Sequence, residues 1–172
     1  MAANRMAASG AEETTLSETS NEEKYLGLRR LALESTPASM SLASEQFRGG
    51  RVFSALMEFA MSGANVTLFC SAAGGASLYT SRRFGVIGGF AHDRVRLAAQ
   101  TFISLCDQYR DEMASVDLCP PPKDGELRIY ALTCDQIITT GAAEAALVSG
   151  TPIAAIRAAG HAVIAELRQI RS

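Results

Sequence analysis

At 172 residues and a net charge of −2, the chain is sized for one domain, with no excess of positive charge to hold nucleic acid by counterion release. Apolar residues make up 48% of it, enough to fill a core, yet no apolar run reaches the ~20 residues needed to cross a bilayer. Cys70, Cys106, Cys119 and Cys134 include no C-x-x-C pair, and neither histidine stands at ligand spacing from any of them, so free thiols are expected rather than disulfides or zinc. The opening "MAANRMAASGAEETT" lacks the apolar centre of a secretory signal. The expectation is a soluble, cytoplasmic protein without metal or cofactor.

In chain order, residues 1–40 come first as an acidic arm. "SGAEETTLSETSNEE" is small and polar, which predicts a disordered or loosely helical segment. Within it, "EEKYLGLRRLALE" at 22–34 can form a short helix, and Pro37 with its neighbouring serines reads as a linker to a domain at 41–172. Ser44 is the expected cap of a helix through "EQFRGGRVFSALMEFAMSG", with Val52, Phe53, Leu56, Met57, Phe59 and Ala60 on its apolar face and Gly63 as its stop. "NVTLFCSAA" alternates like a strand, Gly74-Gly75 turns the chain, and "ASLYTS" returns as a second strand. Asp93 is the expected cap of a long helix to about Met113. The prolines of "CPPPKDG" exclude regular structure. "ELRIYALT" and "IITTG" are two more strands, residues 142–149 are open between a fifth strand and a loose turn, and Pro152 opens a last helix after Thr151. Its buried stripe is Ile153, Ile156, Gly160, Val163, Ile164 and Leu167.

The predicted order is α-β-β-α-β-β-(β)-α, an α+β layered fold around one central antiparallel sheet of five strands. This order, the hairpin "NVTLFCSAAGGASLYTS", the "GVIGG" approach to "RLAAQTFISL" and the ending "LRIYALTCDQIITT…TPIAAIRAAGHAVIAELRQI" resemble the roadblock/dynein-light-chain family, a relative of the longin fold. The resemblance spans roughly Ser44 to Arg171. It implies a non-enzymatic dimeric adaptor or regulator that binds a small Ras-like GTPase or scaffolds a larger assembly. It brings no catalytic residues with it.

"RRFGVIGGFAHDR" invites comparison with a phosphate loop, but the chain has no Gly-Lys pair for a Walker motif, and the glycine spacing is not a dinucleotide fingerprint. The favoured reading of Gly85, Gly88 and Gly89 is close passage of the chain under a helix. Cys134 with His161 is the alternative thiol-enzyme pair, without a local signature or an orienting group. A ligand-sensing domain with a pocket between sheet and helices is the other alternative. Arg157, His161 and Arg168 share a flank of the last helix and form a candidate partner surface.

The expected self-contact lies on the helix after "GVIGG". On a wheel of about 100° per residue, Val95, Ala99, Phe102, Cys106, Tyr109 and Met113 turn inward. Arg94, Leu97, Thr101, Leu105, Gln108 and Glu112 form a second strip, where a monomer should be polar but Leu97 and Leu105 are not. A two-fold antiparallel pair centred near Ile103 brings Arg94 of one chain against Glu112 of the other.

Overall fold

The computed structural model describes residues 9–82, 85–87 and 91–170, with side chains for all of these except 9–20 and 86–87. The elements run α1 (Ser9–Leu33), β1 (Ser54–Met61), β2 (Ala64–Ser71), β3 (Ala76–Thr80), β4 (Val86–Ile87), α2 (Asp93–Gln108), β5 (Ala114–Val116), β6 (Glu126–Leu132), β7 (Ile137–Ala143) and α3 (Pro152–Gln169). Among the described residues the strands form one seven-stranded sheet in the order β4-β3-β2-β1-β6-β7-β5. Every strand pair in it is antiparallel. The α+β class is as expected; the count and order of elements are not.

The main correction is at Ser44–Gly63, where a helix was expected. Only Ser44–Phe47 is helical, as a short 3-10 turn, and β1 follows. Gly49 and Gly50 both have positive φ, at 72° and 74°, which takes the chain out of the helix before the apolar run begins. β1 is the central strand and is buried on both faces, from Ser54 through Glu58. A doubly buried strand shows no period-two alternation, so its apolar residues fit a helical face equally well.

Three further boundaries move. The long helix stops at Gln108 rather than Met113, and a 3-10 turn at Arg110–Glu112 leads into β5. The strands β4 and β5, at two and three residues, raise the sheet beyond five strands. Residues 142–149 hold no separate strand: β7 ends at Ala143 and a 3-10 turn at Glu144–Ala146 follows. β2, β3, β6, β7 and α3 lie where the alternation and the Thr151-Pro152 start placed them.

The molecule has three layers. On one sheet face α2 and α3 pack side by side over Ala55, Met57, Leu68, Cys70, Leu127 and Ile129. Gly160 lets α3 close onto the sheet, since a Cβ there would stand 2.4 Å from Met57 Sδ. The other face carries Phe47, Phe53, Leu56, Tyr130 and Leu132, packed with Ala32 of α1. The helix expected at 22–34 is therefore present, begins at Ser9, and is docked rather than free.

A buried charge pair fixes that docking. Arg29 of α1 donates from Nε and Nη2 to the two carboxylate oxygens of Glu58, at 2.8 and 2.7 Å. Thr67 Oγ1 donates to the same carboxylate at 2.7 Å, and Tyr25 Oη lies 3.0 Å from Thr67 Oγ1. Glu58 is fully buried and Arg29 is 7% exposed. Charges taken out of water this completely persist only when paired and hydrogen-bonded.

Candidate functional site

α2 presents the expected strip, with two changes. Its exposed side chains from Leu97 to Gln108 are Leu97, Gln100, Thr101, Ser104 and Gln108, none of them charged. Leu97 is 68% exposed in the second turn of the helix, so its side chain lies free of the core. Thr101 Oγ1 donates back to the Leu97 carbonyl at 2.9 Å, so its hydroxyl is already satisfied. Arg94 is exposed at the start of the helix. Leu105 is half-buried and packs against the main core, so it is only partly a surface residue. Glu112 is exposed but lies in the 3-10 turn beyond the helix end, so the Arg94–Glu112 register does not survive.

Charged groups on this helix are drawn to its ends. Asp93 pairs with Arg96 at 2.6 Å, and Asp107 pairs with Arg110 at 3.0 Å. Asp107 Oδ1 also accepts from the backbone N–H of Val52 at 2.8 Å, tying the end of α2 to the start of β1. Between these ends the outer face is uncharged.

On α3, Arg157 and His161 are half-buried and Arg168 is exposed. Arg157 Nε stands 3.6 Å from Glu144 Oε1, and the His161 ring centroid is 5.8 Å from that of Phe59. Burial, then the neighbouring Arg157 charge, pulls the His161 pKa below its ordinary value, which leaves the imidazole neutral at pH 7. The trio is thus not a block of three cations.

Cys134 and His161 are not brought together. Phe59, beside His161, pairs with Leu127 at the start of β6, whereas Cys134 follows the end of that strand. Seven residues of extended chain separate the two places by ~20 Å. Cys134 is exposed, with its Sγ 4.0 Å from the Ser44 carbonyl. Cys70 and Cys106 are buried, and burial holds both thiols far above their ordinary pKa, which suits packing rather than reactivity. The cysteines Cys70, Cys106, Cys119 and Cys134 are all free.

In the glycine-rich stretch, a Cβ on Gly85 would lie 1.5 Å from the Leu78 carbonyl oxygen, so this position serves backbone approach. Gly88 and Gly89 lie outside the described residues. Among the described residues there is no cluster of three His, Cys, Asp or Glu side chains able to hold a metal ion. No helix there is long and apolar enough to cross a membrane.

The Tyr25–Arg29–Glu58–Thr67 cluster was not anticipated from the sequence. Its one signal was Glu58, a lone charge inside "VFSALMEFAM", which as buried β-structure demands a buried cation. Comparison with protein-family models, with characterised proteins and with solved structures finds no match to this chain in any of the three.

Proposed function

We propose that this chain is a non-enzymatic homodimeric adaptor that pairs with itself through α2 and offers the rest of its surface to a protein partner. The observation that carries the reading is the uncharged outer face of α2 centred on the exposed Leu97 and Thr101. A solvated helix face ordinarily carries charge, and interface centres are depleted of it. With the helix ending at Gln108, an antiparallel pair has its natural two-fold centre at Thr101. Leu97 then meets Leu105 of the second copy, twice, and Arg94 lies toward Gln108 at each end. Full burial of the exposed Leu97 contributes up to about 1.5–3 kcal/mol, and Leu105, already half-buried, adds less.

The likeness to roadblock proteins makes a small Ras-like GTPase the first partner to try, with Arg157, His161 and Arg168 as the flank to alter. For the dimer, Leu97→Glu is the clean variant because Leu97 touches no core, whereas a charge at Leu105 also disturbs packing. Sedimentation velocity should show a dimer for the unaltered chain and a monomer for Leu97→Glu, with the far-ultraviolet circular dichroism unchanged. A Leu97→Glu protein that remains dimeric removes α2 from the interface.

A further inference from the structure

We propose that the segment Leu118–Lys123 is a ready-made polyproline ligand, presented to an aromatic-lined groove on a protein partner. The segment joins β5 to β6 and contains Pro120, Pro121 and Pro122 in a row. A proline ring holds its own φ at about −65°, and it drives the residue before it to an extended ψ. Pro120 and Pro121 are therefore fixed at both angles, and Cys119 and Pro122 at one each. The peptide bonds here are trans. The outcome is polyproline II, a left-handed helix of about three residues per turn that rises about 3.1 Å per residue.

Burial follows the period of that helix. Cys119 is half-buried against the core on the α1 side of the sheet, and Pro122, one turn on, is buried. Leu118 and Pro121 share a second edge and are exposed; Pro120 and Lys123 share the third and are exposed too. One edge thus lies on the body of the protein and two face outward. Leu118 is 81% exposed. The backbone is held in place without any partner. Tyr130 Oη donates to the Pro120 carbonyl at 2.7 Å, and the Lys123 backbone N–H donates to Glu126 Oε2 at 2.9 Å. Asp124 then bridges to Ala60 of β1. A ligand ordered in advance adds little conformational cost to binding.

The outward edges define the partner. Prolines offer no N–H, so a strand cannot add along this segment. A groove that embraces two edges of the helix suits it, because the third edge is already covered. The apolar surfaces of Leu118, Pro120 and Pro121 call for aromatic walls, the chemistry of polyproline readers. Lys123, at one end of the outer surface, gives an acidic residue on the groove's rim a way to fix the direction of docking. The segment sits on the sheet face opposite α2, so this contact is independent of pairing through α2.

The chain has no tryptophan, so a groove tryptophan in the reader reports binding without background. Purified SH3, WW and EVH1 domains, each titrated with the full chain, are the probes. At least one should show a saturable change in tryptophan fluorescence. Pro121→Ala and Leu118→Ser alter exposed side chains, so both variants should fold. Each should bind that domain about tenfold more weakly than the unaltered chain. Leu97→Glu should bind it unchanged, which separates loss of this contact from loss of the α2 pair. No saturable change with any of the three domains, unchanged affinity in either ridge variant, or loss of binding in Leu97→Glu would overturn the proposal.

Discussion

Arg29 and Glu58 place opposite charges at one buried point, and their worth depends on which partner is removed. Taking away Glu58 alone leaves a guanidinium buried without a counter-charge. Glu58→Ala should therefore cost about 3–5 kcal/mol in urea unfolding. The double change Arg29→Met with Glu58→Leu should recover most of that loss, because well-packed apolar replacements of buried pairs are close to neutral. An equal loss in both variants would show that packing, not charge, dominates the site. His161 gives a second expectation at this scale. Its folded pKa lies below the unfolded value of 6.5, so between the two the unfolded chain binds more protons. Its contribution is intact above about pH 6.5 and is lost as the pH falls through that value toward the folded pKa. The melting temperature should drop between pH 7.5 and 5.5, and should drop less in His161→Gln. An identical drop in both proteins assigns the pH dependence to other groups.

The elements read correctly were those that keep a period in side-chain type along the chain. Thr67 and Phe69 alternate with Leu68 and Cys70 in β2, and α2 keeps Val95, Ala99, Phe102 and Cys106 on one side, so period alone placed them. β1 failed this test because burial on both faces erases the period. β4 and β5 failed because two or three residues carry no period at all. The α1 docking was invisible for another reason. It depends on Arg29 and Glu58, which are 29 residues apart, and on Tyr25 reaching Thr67 across 42. Composition alone made residues 1–40 a separable arm. With Tyr25, Arg29 and Ala32 buried, deleting residues 1–33 should instead lower the melting temperature and increase binding of a neutral hydrophobic dye to the uncovered sheet face. Unchanged melting would make α1 an ornament of the fold. Gly85→Ala tests the β3–β4 junction: with no room beside the Leu78 carbonyl, the strand must move, at a cost of about 1–3 kcal/mol.

For the whole molecule, the α2 strip was legible because a helix face with Leu97 where polarity belongs is a local pattern. Its partner residues were not, because the register depends on where the helix ends. Tyr109, with φ −103° and ψ 15°, ends α2 and carries Glu112 off the strip, so the centre of the proposed pair moves from Ile103 to Thr101. The most direct measurement is an engineered cross-link on the two-fold axis. In a background with Cys119 and Cys134 replaced by serine, Thr101→Cys should form a disulfide-linked dimer under mild oxidation, because the axis brings both copies of residue 101 together. Ala158→Cys, on the exposed side of α3, should form no disulfide cross-link under the same conditions. Cross-linking at 158 but not at 101 would contradict dimerisation through α2.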